Sequence, residues 1–176
     1  MLLDGSCAST CATFTEFMKV QGGVRSIVVG GRPQHGPMQS VGQTKGSEVL
    51  AWQTIHDTAK QLVDHVKKTS GKDFNATRLE KIANATQPLR RVSYGQATVN
   101  WRNNYRLGDE SQTPLQFVYE AADCRLFYTK SMILNITETW MEATRAMWGN
   151  GTCVPGSRAA KGSLSSGDIG IRVTYS

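Results

Sequence analysis

The chain has little that would mark a membrane, metal or nucleic-acid protein. No apolar run approaches the ~20 residues that span a bilayer. The start Met1-Leu2-Leu3-Asp4 is far too short for a signal peptide. The four cysteines form no Cys-x-x-Cys pair, and none of the three histidines stands at metal-ligand spacing, so neither metal nor cofactor is expected. Charged residues make up 19% of the chain, below the ~25% of an average soluble protein. The net charge is +6, but Lys and Arg are scattered and no basic stripe carries interleaved aromatics, so nucleic acid is not an expected partner. A phosphate-binding Gly-Lys-Ser/Thr loop, a dinucleotide fingerprint and the Gly-x-Ser-x-Gly hydrolase elbow are all absent.

What is present is long enough, at 176 residues, to bury a sizeable core. The most informative stretch is Asp4-Gly5-Ser6-Cys7-Ala8-Ser9-Thr10-Cys11 and the run that follows it. Met1-Leu2-Leu3 reads as a strand end, the small residues allow a sharp turn, and Thr10 is placed to cap a helix. Cys11, Phe14 and Met18, with Phe17 beside them, recur at spacings of three and four, which predicts one apolar helix face. Ser and Thr are the commonest helix caps, so capping is the plain account of this pair. The same geometry also sets a serine hydroxyl at the positive end of a helix. Unpaired N–H groups there can hold the oxyanion formed when a hydroxyl attacks a carbonyl.

Further along, Gly22-Gly23 ends the first helix and Val24–Val29 reads as a buried parallel strand, completing a strand–helix–strand unit. Gly30-Gly31-Arg32-Pro33 stops that strand, and 34–46 is loop. Residues 47–68 predict an amphipathic helix with Trp52, Ile55, Ala59, Leu62, Val63 and Val66 on one stripe, flanked by His56 and His65. An exposed polar excursion is expected near 69–90. From Val92 the pattern turns to β, with strands at 97–101, 115–119 and 125–129, and a helix follows over 133–148. That helix offers Trp140, Ala143, Met147 and Trp148 for packing. Gly, Ser and Ala dominate 156–176, which reads as a flexible tail.

Residues 1–45 and 92–148 resemble the tail-specific (carboxyl-terminal-processing) serine peptidases, in particular fungal relatives of the chlamydial protease-like activity factor. The stretches that carry the resemblance are Cys7-Ala8-Ser9-Thr10-Cys11, Gly30-Gly31-Arg32-Pro33-Gln34, Gly36-Pro37-Met38-Gln39 and 113–129. The resemblance implies an α/β fold with a ClpP/crotonase-like layered core. It implies that residues 1–155 are the C-terminal part of such a domain, incomplete at its N-terminus. The implied activity is peptide-bond hydrolysis through an acyl-enzyme on Ser9, with the Thr10 N–H as an oxyanion donor. The substrate would be a peptide or protein, in secreted protein degradation or in processing of a peptide toxin precursor.

Where the family's dyad lysine would fall, this chain holds Gln34 with His35 beside it, which disfavours a Ser–Lys site. In the histidine-using branch the imidazole precedes the serine by a long stretch, and only eight residues precede Ser9 here. His35 is the one local substitute. The acidic partner would be Glu110, four residues before Pro114, with Asp109 as its rival and Glu120 and Asp123 behind them. Without the histidine, the alternative is a catalytically silent fragment or binding module. A third reading, a complete small α/β hydrolase with another site, lacks any second constellation.

Cys7 and Cys11 flank Ser9 and would bridge only if the turn brings them close. Cys124 and Cys153 would bridge only if the last helix folds back on the late strand. Four Asn-x-Thr sequons, at Asn75, Asn84, Asn135 and Asn150, and an even cysteine count point to a secretory history. A secreted location is therefore expected for full-length relatives, against the absence of a signal peptide.

Overall fold

The computed structural model describes residues 1–71, 77–84 and 97–167. The chain divides into two units, Met1–Glu48 with Arg102–Ser176, and Val49–Trp101. The larger unit is built on three parallel strands in the order β1-β2-β5, with β1 at Leu2–Leu3, β2 at Ile27–Val29 and β5 at Cys124–Leu126. Leu2 pairs with Ile27, and Ile27 in turn with Cys124. Helix α1 (Thr10–Val20) makes the crossover from β1 to β2, so the expected strand–helix–strand unit is present. All three residues of β2 are buried, as a central parallel strand covered on both faces requires.

One face of this sheet carries the main core. Ile27, Val29, Cys124 and Leu126 meet Met132, Ala143 and Ala146, which come from two later helices. On the other face Leu3 packs with Cys7, Ala12 and Val41 beneath α1. A separate two-stranded ribbon pairs β3 (Glu48–Ala51) with β4 (Thr98–Arg102). Within the smaller unit, α2 (Trp52–Ser70) and α3 (Arg78–Ala83) join through Ala59, Val63, Leu79 and Ala83.

Several expectations are corrected. The helix expected from residue 47 begins at Trp52, because Glu48–Ala51 are spent in the ribbon and the Trp52 N–H donates to the Ala97 carbonyl at 2.8 Å. The excursion near 69–90 contains α3, capped by the Thr77 hydroxyl accepting from the Glu80 N–H. Asn75 and the expected β onset at Val92 lie outside the described residues. Leu115–Tyr119 is not a strand. Leu115–Phe117 form a 3-10 turn after Pro114, whose carbonyl and that of Leu115 take the N–H groups of Phe117 and Val118. Those donors are satisfied locally and cannot join a ladder.

The last helix is two, α4 (Lys130–Leu134) and α5 (Ile136–Trp148). Asn135 breaks them with φ −145° and ψ 113°, and its side chain caps α5 by accepting from the Thr137 N–H. Of the residues expected to pack, Ala143 is buried, but Trp140 and Trp148 are exposed. The stretch 156–167, read as part of a tail, carries fully buried Ser157 and Ser163. Ser157 Oγ accepts from the Arg125 N–H and donates to the Val154 carbonyl, and the Ser165 N–H and hydroxyl both donate to Asp123. Small hydroxyl side chains satisfy the backbone in this segment, and the Ser163 hydroxyl also caps a 3-10 turn at Leu164–Ser166 by accepting from the Ser166 N–H.

A buried ion cluster ties the larger unit together. The Glu120 carboxylate accepts from Lys19 Nζ at 3.3 Å, from Lys45 Nζ at 3.1 Å and from the Arg106 guanidinium, which also grips Glu16 at 2.7 and 3.0 Å. Burial alone would push the Glu120 carboxyl up, but the charges of Lys19, Lys45 and Arg106 outweigh it and hold the pKa at about 2. The Glu120 carboxylate is thus committed to three cations. Burial, helped by the like charge of Lys19, pulls the Lys45 ammonium below the ordinary lysine value despite Glu120 and Glu16.

The carboxyl falls from 4.5 to about 2 on folding, so its stabilising contribution, on the order of 3 kcal/mol, is complete above pH 4.5 and is lost as pH drops towards 2. Glu120→Gln should cost about 3–5 kcal/mol at neutral pH, since it leaves buried cations uncompensated. Urea unfolding between pH 2 and 7 should show the wild-type acid-labile slope flattened in the variant. A variant with an unchanged slope would place the titration elsewhere.

Candidate functional site

Ser9 sits where β1 turns into α1, and that turn is fixed from three sides. Gly5 pairs with Val41 in a parallel bridge, and the Gly42 N–H donates to the Gly5 carbonyl at 2.9 Å. A Cβ on Gly42 would lie 2.9 Å from that same oxygen, so only glycine permits the approach. Cys7 and Cys11 form a disulfide across the turn, with Cα atoms 5.5 Å apart, so the geometry open from sequence is met. Cys124 and Cys153 form the second, and the chain after α5 does return to β5. Finally, the Ser9 hydroxyl donates to the Ser47 carbonyl at 3.2 Å.

Ser9 itself is the N-cap residue of α1, with φ 55° and ψ −128°. Thr10 is the first helical residue, which corrects its expected capping role. The Ser9 side chain makes no capping hydrogen bond. Its own carbonyl accepts from the Thr13 N–H at 3.0 Å. A positive φ at a serine is a strained conformation costing about 1–3 kcal/mol, held only where the surroundings over-determine it. Capping therefore does not explain this serine. Among the described residues the Thr10 N–H meets no acceptor, so a donor at the positive end of α1 stands next to the half-buried hydroxyl.

The exposed side of α1 corrects the expected apolar face. Ala12, Thr15 and Lys19 are the buried residues, whereas Phe14 is 57% and Phe17 53% exposed. The ion cluster and the polar pair Asn104 Nδ2–Thr13 Oγ1 (3.0 Å) take the inner side.

The other site residues named from sequence are not brought to Ser9 by any hydrogen bond among the described residues. Glu110 stands exposed on the 107–111 turn and makes no ion pair among the described residues. Asp109, its rival, is held below the ordinary carboxyl pKa by the Ser111 side chain and N–H, the latter at 2.9 Å, which marks a local turn. Asp123 is buried and takes the Ser26 N–H at 2.7 Å, which makes it a clamp for the sheet.

His35 is exposed on the 32–36 loop, which wraps the buried Arg125 guanidinium. Nε of that guanidinium donates to the Gly30 carbonyl, and Nη1 donates to those of Gln34 and Gly36. A Cβ on Gly31 would meet Arg125 Nη2 at 2.7 Å, which accounts for the Gly30-Gly31 pair as a turn around that guanidinium. His56 and His65 belong to α2 in the smaller unit. Sequence reasoning missed Ser47 and the strain at Ser9, since neither a carbonyl acceptor nor a backbone angle leaves a mark in residue type.

Among the described residues no group of His, Cys, Asp or Glu is placed to hold a metal ion, and no helix is long and apolar enough to cross a membrane.

Because glycine tolerates positive φ, Ser9→Gly should stabilise the chain by up to about 1 kcal/mol. Ser9→Ala keeps the strain, loses one hydrogen bond and should destabilise by about 1 kcal/mol. Thermal unfolding of the two variants checks the sign. A Ser9→Gly variant that melts lower than Ser9→Ala would contradict the strain.

No family model and no solved structure matches the chain. The chain is 39% identical over 163 residues to the Peptidase S41 family protein ustP of Aspergillus flavus, covering 88% of this chain and 34% of the relative. It is 36% identical over 175 residues to the Peptidase S41 family protein phomP1 of Diaporthe leptostromiformis, covering 85% of this chain and 26% of the relative. The chain thus spans about a quarter to a third of the length of these relatives. With similarity that runs through nearly all of its sequence, the chain belongs to the Peptidase S41 family, among fungal members.

Proposed function

We propose that the chain is the nucleophile-bearing, C-terminal part of a tail-specific serine peptidase, with a ClpP/crotonase-like core. The observation that carries this reading is the strained Ser9, whose side chain makes no cap and stands beside a helical N–H that meets no acceptor among the described residues. Strain at a serine between strand and helix presents a hydroxyl at the top of a sheet, as nucleophile turns do. Ser9 Oγ attacks the carbonyl of a peptide substrate, and its proton passes to a general base. The oxyanion of the tetrahedral intermediate takes the Thr10 N–H, supported by the positive end of α1. Collapse expels the amine and leaves an acyl-enzyme, which water hydrolyses. The base is a histidine supplied by sequence outside this chain, oriented by Glu110. The substrate is a secreted protein or a precursor peptide.

A specific observation favours a second reading. Ser9 Oγ is hydrogen-bonded to a carbonyl, which accepts but cannot take the proton. On that reading the chain is a catalytically silent module.

A fluorophosphonate probe separates the two. The product of the reading frame extended upstream of Met1 should be labelled, and Ser9→Ala should abolish labelling. The chain 1–176 should be labelled at least 100-fold more slowly, as expected when the general base is lost. Equal absence of labelling in both forms, when each is folded, would leave the silent module standing.

A further inference from the structure

Helix α5 presents a ridge that a protein surface ordinarily hides. Ile136, Trp140, Thr144 and Trp148 recur every four residues along its outer side, and the three large ones are 70%, 58% and 77% exposed. Ile133 and Leu134, from the end of α4, extend the apolar surface past the helix start. Exposed apolar residues scattered singly need no explanation, but a contiguous ridge does.

Each end of this ridge carries an Asn-x-Thr sequon. Asn135 lies exposed in the break between α4 and α5, and its Oδ1 is held by the Thr137 N–H at 3.0 Å, which leaves Nδ2 without a partner among the described residues. Asn150 is exposed two residues beyond the other end. The chain there bends back so tightly that the Gly151 N–H donates to the Arg145 carbonyl at 3.0 Å. A Cβ on Gly151 would lie 2.7 Å from the Ala146 nitrogen, so glycine keeps Asn150 at the tip of this bend. All four cysteines are in disulfides, the state of a chain matured in an oxidising compartment, where asparagine-linked sugar is also added.

We propose that Asn135 and Asn150 carry N-linked oligosaccharides, and that these cover the aromatic ridge of α5. The transfer joins asparagine Nδ2 to the anomeric carbon of a sugar. It breaks that carbon's bond to the diphosphate of a polyprenyl-linked oligosaccharide donor, and one amide proton leaves with the lipid diphosphate. A helix of 13 residues is about 20 Å long, short enough for a branched oligosaccharide from each end to reach its middle. The apolar faces of the sugar rings suit the indoles of Trp140 and Trp148, which offer flat, weakly hydrated surfaces.

The test is secretion of the chain from a yeast host behind a cleavable leader, with intact mass and glycopeptide mapping. Asn135→Gln also removes the α5 cap, so Thr137→Ala and Thr152→Ala serve as the informative variants. Each keeps its asparagine, and Thr137→Ala keeps the N–H that Asn135 accepts. Wild type should carry sugar at both sites, and each variant should lose one. Enzymatic removal of the sugars from folded protein should raise anilinonaphthalene sulfonate fluorescence at least threefold. That rise should vanish in Trp140→Ser/Trp148→Ser. Bare Asn135 and Asn150 in secreted chain would overturn the proposal. So would removal of the sugars with no change in dye binding, or a glycosylated dimer whose interface is this ridge.

Discussion

The carboxylate of Glu120 is the point on which the larger unit depends. It is the shared acceptor for Lys19 on α1, Lys45 in the loop before β3, and Arg106 beyond β4. These segments lie up to 101 residues apart in sequence, and no apolar cluster joins all of them. Arg106 adds Glu16, so two turns of α1 are gripped by charge. Lys45 Nζ also donates to the Val118 carbonyl at 2.6 Å, and Lys19 Nζ to that of Gly162 at 3.2 Å. The cluster therefore orders the 3-10 turn and the 155–167 segment as well. Breaking it is costly for the reason that makes it specific: each ion has given up water for one fixed set of partners.

That cluster decides which way α1 faces. Burying Glu16 and Lys19 directs Phe14 and Phe17 outward, against what apolar periodicity alone demands. It also sets the level at which α1 begins. With the helix gripped at Glu16 and Lys19, the Gly5–Val41 bridge and the Cys7–Cys11 disulfide leave the turn between them almost no freedom. Ser9 is where the remaining mismatch is absorbed, as a positive φ. Its strain is a consequence of constraints on both sides rather than of its own sequence preference.

The sequence carried what local pattern can carry. The β1–α1–β2 unit was legible because small residues, a 3.6 periodicity and Val-Arg-Ser-Ile-Val-Val follow one another within thirty positions. The long helix was legible past Trp52, where nothing competes with its stripe. Leu115–Tyr119 misled because β-propensity is a statement about burial on a pleated surface, and Phe117 and Tyr119 are exposed. The helix over 133–148 was split by Asn135, whose side chain offers the backbone an alternative partner. Of the candidate site, Ser9 and Thr10 are marked in the sequence by resemblance to a family and not by local pattern alone. Residue type does not show that Glu120 is committed to ions and Asp123 to backbone. A pairing across 101 residues leaves no periodic trace.

The Ser9–Ser47 contact sets what a general base would have to do. A carbonyl oxygen holds a hydroxyl in place but is far too weak a base to ionise it. Reaching an imidazole requires Ser9 to turn about its Cα–Cβ bond and give up the 3.2 Å hydrogen bond. That exchange is inexpensive, because one neutral hydrogen bond is traded for another and the backbone need not move. The costly part, the unfavourable φ, is already in place before any substrate arrives. On the proposed reading, the fold therefore supplies position and an oxyanion donor in advance. Only the proton acceptor remains to be brought to the hydroxyl. Such a division suits a site assembled from distant parts of a chain, since the strained turn is held by contacts within its own unit and does not rely on the base to form.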